Sequence, residues 1–202
     1  MALKQTTGFF VVVTGPSGSG KTSVVRGVRA RQPELRYSVS ATSRPPRPGE
    51  TDGKDYFFLG LEEFERRRDQ GWFLEWARVY EHYYGTPKTW LQEQLAASNN
   101  VITELDVQGA SAVKADLEES VTIFVVAPSR KALEERLRKR KTDDEGTIAR
   151  RLGEATRELE AMNQFDYVVE NSTLEEAVES VLTIIRAERC RVKRNLLEWG
   201  NA

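Results

Sequence analysis

The chain has 202 residues, of which 39% are hydrophobic, and this content is sufficient for a packed core in one domain. Its formal net charge is -1 and its pI is about 6.1, which excludes a nucleic-acid binder that works by overall basicity. Cys190 is the one cysteine, so no internal disulfide can form, and neither a signal-peptide pattern nor a membrane-spanning apolar run is found. We therefore expect a cytoplasmic protein that binds neither membranes nor nucleic acid.

Short hydrophobic runs rich in β-branched residues alternate with helical segments along the chain. This alternation predicts an α/β fold with a parallel core sheet flanked by helices on both faces. The predicted strands span residues 9–14, 37–41, 101–105, 121–127 and 167–170, and the predicted helices include 22–31 and 129–140. A last helix begins at a capping box of Thr173 and Glu176, and its apolar stripe predicts core packing.

A glycine-rich segment follows the first predicted strand and precedes the first predicted helix. It fits the pattern G-x-x-x-x-G-K-[ST] at every fixed position, and its residues are Gly15, Pro16, Ser17, Gly18, Ser19, Gly20, Lys21 and Thr22. Glycines at these positions let backbone N–H groups turn inward around the phosphates of a nucleotide. Lys21 would add a positive charge there, and the Thr22 hydroxyl would reach Mg²⁺. The segment therefore predicts a site for a nucleoside triphosphate and Mg²⁺.

Two insertions interrupt the alternation of strands and helices. The first is proline-rich and then aromatic-rich, which predicts an inserted antiparallel lobe. The second, residues 141–146, is polar and lies between two helices, as a mobile lid would. The predicted bounds are 8–36 and 98–188 for the core, about 37–90 for the lobe, about 137–150 for the lid and 189–202 for the C-terminal helix end and tail.

Several motifs together resemble the guanylate kinase family in their order and spacing. They are SATSRPPRPGE at residues 40–50, GKDYFF at 53–58, FLEWA at 73–77, YYGT at 83–86 and LDVQG at 105–109. The segment at 184–189 also resembles the C-terminal helix of the bacterial enzymes, so the resemblance covers about residues 9–191. It implies a P-loop nucleoside monophosphate kinase fold, in which the lobe binds GMP and a helical lid closes over ATP. The implied reaction is ATP + GMP = ADP + GDP.

The residues of the lobe suit the chemistry of GMP. Arg44 and Arg47 lie three residues apart on a segment stiffened by prolines, and their guanidinium groups match a phosphate dianion. By resemblance, Tyr56 and Tyr84 donate to the same phosphate; the alternative for each tyrosine is packing on a sheet surface.

Recognition of the guanine base is expected to depend on a carboxylate. Guanine presents two adjacent donors, N1–H and the N2 amine, and by resemblance Glu75 accepts from both, with Ser40 and Thr86 as hydroxyl partners. The alternative for Glu75 is an exposed strand glutamate. Asp106 follows a predicted strand at the sheet edge where ligands bind, and this location suits Mg²⁺, its waters or the guanine amine.

Transfer to a phosphate acceptor needs no general base, so charge neutralisation is expected to carry the reaction. By resemblance, Arg136, Arg140 and Arg151 flank the lid and reach the ATP phosphates on closure, although the glycines common around the second arginine are missing here. Asn171 matches a position near the adenine ring, and the alternative is a helix-capping asparagine. The predicted catalytic residues are Lys21, Arg44, Arg136 and Arg151.

Two alternatives from other functional classes stay open at this point. The first is a guanylate-kinase-like binding module that has lost catalysis and holds phosphopeptides in the GMP lobe. The second is a related kinase that acts on another phosphorylated acceptor, such as ribose 1,5-bisphosphate. Glu104 stands where many members of the family carry aspartate, so no role is assigned to it. The sequence leaves the oligomeric state open.

Overall fold

The computed structural model describes residues 2–79, 81–139 and 145–198. Within these ranges the strands are β1 (Ala2–Gln5), β2 (Phe10–Thr14), β3 (Arg36–Tyr37), β4 (Ala41–Thr42), β5 (Phe57–Phe58), β6 (Phe73–Val79), β7 (His82–Pro87), β8 (Val101–Glu104), β9 (Ser120–Val126), β10 (Tyr167–Glu170) and β11 (Asn195–Glu198). The helices are α1 (Lys21–Arg31), α2 (Leu61–Asp69), α3 (Lys88–Ala96), α4 (Val107–Asp116), α5 (Arg130–Lys139), α6 (Glu145–Glu160) and α7 (Leu174–Arg189).

Five parallel strands form the core sheet in the order β10-β9-β2-β8-β3. The central strand β2 is buried along its whole length, as its continuous apolar sequence requires of a strand covered on both faces. Val11 and Val13 pack with α1 and α7 on one face, whereas Phe10 and Val12 pack with α3 and α4 on the other. The predicted parallel sheet between two helical layers is confirmed. Loops that follow β2, β8 and β10 all emerge at its carboxyl edge.

A second sheet of four strands, in the order β5-β4-β7-β6, forms the inserted lobe. Strand β7 pairs with β6 and β4 in antiparallel orientation, as predicted, but β4 and β5 pair in parallel over two residues each. The predicted strand at 37–41 is wrong as one element. Residues 36–37 close the edge of the core sheet, and the chain then crosses to the lobe, where residues 41–42 form β4. This crossing joins the two sheets that bound the site.

The ends of the described chain pair with each other. Strands β1 and β11 form a separate antiparallel ribbon that lies outside the predicted elements. Beneath it, Glu188 and Arg194 form an ion pair at 3.0 Å, and each side chain is only 2% exposed. The Tyr167 hydroxyl donates to the same carboxylate at 2.6 Å, and the guanidinium lies 4.5 Å from the centre of the Phe9 ring. The C-terminal segment is thus attached to the core.

The helices of the predicted lid region pack against each other. Leu133 and Leu137 of α5 are buried in one cluster with Ala155 of α6, and Leu152 packs against it. Arg140 and the other residues at 140–144 lie outside the described ranges. Among the described helices, none is long and apolar enough to cross a membrane.

Candidate active site

The glycine-rich segment is a tight loop between β2 and α1. Gly15, Gly18 and Gly20 have φ angles of 130°, 88° and 100°, which only glycine adopts without strain. A Cβ at the first of these would lie 2.2 Å from the carbonyl oxygen of Val125, so the loop also packs directly on β9. The Lys21 ammonium donates to the Gly15 carbonyl at 2.6 Å. The loop therefore has the backbone and the cation that a phosphate group requires.

The helix that follows places two site residues side by side. Helix α1 begins at Lys21, directly after Gly20, so its N-terminal dipole points toward the loop. Thr22 is the second residue of this helix, and its side chain lines both of the clefts described below. This position brings a hydroxyl close to any anion held by the loop.

A cleft of about 260 Å³ separates the phosphate loop from the lobe. Alternation along β6 buries Phe73, Glu75 and Ala77 on one face, and this places the Glu75 carboxylate at the cleft wall. Glu75 is 6% exposed, so the alternative of an exposed strand glutamate does not hold. Other predicted residues in the lining are Lys21, Thr22, Ser40, Tyr56, Tyr84 and Asp106.

Two neighbours fix the position of the Glu75 carboxylate. The Thr86 hydroxyl donates to Oε1 at 2.6 Å, and a Cβ on Gly109 would lie 2.8 Å from Oε2. Thr86, predicted as a direct partner of guanine, is completely buried behind the carboxylate and orients it. The missing side chain at position 109 leaves the space that Oε2 uses.

Burial changes the acidity of this carboxylate. Loss of solvent raises the pKa of Glu75 to about 7, the nearby charge of Asp106 adds to the rise, and the hydrogen bond from Thr86 opposes it. Asp106 itself is the N-cap of α4, where its Oδ1 accepts from the N–H of Gly109 at 2.8 Å. At pH 7 about half of this carboxyl is therefore ionised, and the ionised form accepts the donors that a ligand supplies.

An adjoining cleft, also of about 260 Å³, contains the predicted phosphate arginines. Arg44 is 6% exposed, and its two terminal nitrogens each donate to one oxygen of Glu50 at 2.6 Å. The backbone N–H of Arg47 donates to the same carboxylate at 2.7 Å. These bonds lower the pKa of Glu50 to about 2, with the hydrogen bond from Arg44 as the main cause. The pair therefore stays ionised at neutral pH.

The two clefts meet at shared residues. Thr22, Tyr56 and Glu104 line both, so Glu75 lies in one cleft and Arg44 with Arg47 lies in the other. Tyr84 lines the Glu75 cleft and also interacts with Arg44. The predicted GMP residues therefore line two connected cavities rather than one. The ring centre of Tyr56 lies 4.9 Å from the Arg44 guanidinium and 5.9 Å from the Tyr84 ring.

The described residues predicted to bind ATP outside the phosphate loop lie on α5, on α6 and directly after β10. Arg136 of α5 donates to the Ser19 carbonyl at 3.3 Å, and Asn171 donates to the same oxygen at 2.7 Å. The helix-capping alternative for Asn171 is wrong, because Thr173 is the N-cap of α7. Arg151 lies half-buried on α6. Arg140 lies outside the described residues.

A family model described as guanylate kinase matches residues 8–188. A guanylate kinase from Caldanaerobacter subterraneus subsp. tengcongensis is 45% identical over 195 residues, covering 96% of this chain and 94% of the relative. One from Thermotoga maritima is 47% identical, covering 93% of this chain and 91% of the relative. The chain belongs to the guanylate kinase family.

A solved structure supports the same assignment at the level of the fold. The crystal structure of guanylate kinase from Anaplasma phagocytophilum matches this chain with a TM-score of 0.79 and 30% identity, covering 95% of this chain and 92% of that one. The predicted family and the predicted α/β fold class are therefore confirmed for this guanylate kinase family member.

Sequence reasoning missed three residues that shape this guanylate kinase site. Glu50 anchors Arg44, Glu104 lines the junction, and Gly109 leaves room for the Glu75 carboxylate. Only the first had a usable signal, since a carboxylate six residues after an arginine in a proline-rich turn can pair with it. The other two depend on contacts between elements far apart in sequence.

Proposed function

We propose that this kinase transfers the γ-phosphoryl group of ATP to GMP across the junction of the two clefts. The buried Glu75 carboxylate carries this proposal, because it faces a cleft that also receives the phosphate loop. Guanine offers N1–H and the N2 amine as adjacent donors, and a carboxylate accepts both. Adenine would instead present a lone pair at N1 to this carboxylate.

In the proposed complex, GMP spans both clefts. Its base lies against Glu75 and Ser40, and its phosphate enters the cleft of Arg44 and Arg47 with Tyr56 at the junction. The Arg44 guanidinium is held in place by Glu50, so little rotamer entropy is lost when the phosphate binds. In this arrangement the GMP phosphate lies near the junction, close to Thr22 at the end of the phosphate loop.

ATP is proposed to bind with its β- and γ-phosphates in the loop from Gly15 to Thr22. The loop amides, the α1 dipole and Lys21 then offset the negative charge of the phosphates. Arg136 and Arg151 are proposed to supply further positive charge. Asp106 and Thr22 are the proposed holders of Mg²⁺. When bound, the ion would supply positive charge that offsets the charge of the phosphates, and such ions use one or two protein oxygens together with the substrate phosphates. One carboxylate and one hydroxyl at the cleft match that demand.

The proposed catalysis depends on position and charge rather than on proton transfer. The attacking oxygen of GMP is already anionic, so no residue has to remove a proton from it. The two clefts place acceptor and donor phosphates on opposite sides of the junction, and burial of the site would exclude water as a competing acceptor. Lys21 and the arginines would stabilise the charge that spreads over the transferred group.

An acceptor panel tests this proposal. ADP release from ATP is measured with GMP, IMP, AMP, CMP, UMP and ribose 1,5-bisphosphate, and Lys21→Met serves as the control for contaminating kinases. We expect GMP to give the highest kcat/KM, and the control to show little turnover. Preference for ribose 1,5-bisphosphate would favour the related kinase, whereas no ADP release with any acceptor would favour a binding module.

A further inference from the structure

Two side-chain donors converge on one backbone carbonyl of the phosphate loop. Asn171 Nδ2 lies 2.7 Å from the Ser19 oxygen, and Arg136 Nη1 lies 3.3 Å from it. The same guanidinium also donates through Nη2 to the Asn171 carbonyl at 2.7 Å. Asn171 is 5% exposed, and its N–H donates to Val126 at 2.8 Å. We call Ser19, Asn171 and Arg136 the loop latch.

The latch determines the direction of one peptide group. The described residues contain no cis peptide bond, and in a trans peptide the C=O and the following N–H point in opposite directions. Because the Ser19 carbonyl is held by Asn171 and Arg136, the N–H of Gly20 points away from them. Without these donors, that peptide plane could rotate.

The latch also explains why glycine is needed at position 20. Gly20 has φ 100°, and a Cβ built on it would lie 2.2 Å from Asn171 Nδ2. The asparagine amide thus fills the space that a side chain would use. Loop conformation and the position of Asn171 are therefore coupled by both a hydrogen bond and close packing.

We propose that Asn171 is a positioning residue that holds the Ser19 carbonyl so that the N–H of Gly20 stays directed at the nucleotide phosphates. This role differs from contact with the adenine ring, the role that the family resemblance implies. It rests on the proposed binding of ATP phosphates in the loop. A residue that acts through the loop affects phosphate affinity whatever the base, whereas a residue that contacts adenine affects only ligands that carry adenine.

The test compares two ligands, MgATP and magnesium tripolyphosphate, which has no base. Asn171→Leu keeps the approximate size of the side chain, adds no charge and removes the Nδ2 donor, and Asn171→Ala removes the amide altogether. Asn100→Ala is the matched control, because Asn100 is also a buried amide, 8% exposed, and it accepts from the Phe9 N–H at 3.2 Å. The dissociation constants are measured by calorimetry, the KM for GMP by a coupled assay, and folding by circular dichroism.

We expect both Asn171 variants to weaken the binding of ATP and of tripolyphosphate by the same factor, about ten or more. The reason is that the proposed hydrogen bond from the Gly20 N–H to a charged phosphate is disturbed. The KM for GMP and the ligand affinities of Asn100→Ala should stay within about twofold of wild type. A loss confined to ATP would assign Asn171 to the base and overturn the proposal. A loss no greater than that of Asn100→Ala would reduce the latch to a structural contact. Wild type that does not bind tripolyphosphate would instead contradict the proposed ATP site.

Discussion

Thr86→Val should shift the pH dependence of GMP use. The Thr86 hydroxyl donates to Glu75 Oε1 at 2.6 Å, and this bond lowers the pKa of a carboxyl that burial has raised to about 7. A hydrogen bond to a charged group contributes about 1.5–3 kcal/mol, which corresponds to about one to two pKa units. The variant should therefore have its Glu75 pKa near 8 or above, and at pH 7 about a tenth or less of the carboxyl would be ionised, compared with about half in wild type.

The assay is kcat/KM for GMP between pH 5.5 and 8.5, since this ratio reports the free enzyme. We expect an acid limb near pH 7 in wild type, a limb about one to two units higher in Thr86→Val, and a loss of about fivefold or more at pH 7 that shrinks toward pH 8.5. Thr103→Val is the control, because Thr103 is also buried and donates to the Ser38 carbonyl at 3.2 Å. An unshifted limb in Thr86→Val, or an equal shift in the control, would refute the reasoning.

Three further predictions concern charge, space and stability. Lys21→Met should lower kcat by roughly 10³-fold with little change in KM for GMP, measured by steady-state kinetics; near-normal turnover would remove it from catalysis. Gly109→Ala should raise KM for GMP several-fold without lowering the melting temperature, because the new Cβ crowds Glu75 Oε2 while alanine favours the helix. Glu188→Gln should lower the free energy of unfolding in urea by about 3–5 kcal/mol, since it leaves the buried Arg194 uncompensated; a loss under about 1 kcal/mol would contradict this.

The parts that sequence predicted well are those specified locally. The strand, loop and helix around Lys21 follow from consecutive residues, and the glycine pattern of the loop is visible in the sequence itself. The alternation along β6 likewise determines that Glu75 and Phe73 share a face. Such features need no knowledge of partners elsewhere in the chain.

Contacts between distant segments were beyond the reach of sequence patterns. The bond from Asn171 to Ser19 joins residues 152 positions apart, and the ribbon of β1 with β11 pairs the two ends of the described chain. The crossing after Tyr37 was also missed, because a continuous extended segment gives no sign that it changes sheets. In each case the partner, rather than the local pattern, decides the structure.

Base discrimination by Glu75 tests the central claim most directly. The measurement is kcat/KM for GMP, IMP and AMP in wild type and in Glu75→Gln. Wild type should use IMP about 10- to 150-fold less well than GMP, because IMP lacks the N2 amine and so loses one hydrogen bond to a charged group. AMP should be worse still, and Glu75→Gln should narrow the gap between GMP and AMP, since an amide can also donate. Equal use of GMP and AMP by wild type would contradict the guanine assignment, and an unchanged ratio in the variant would contradict the role of Glu75.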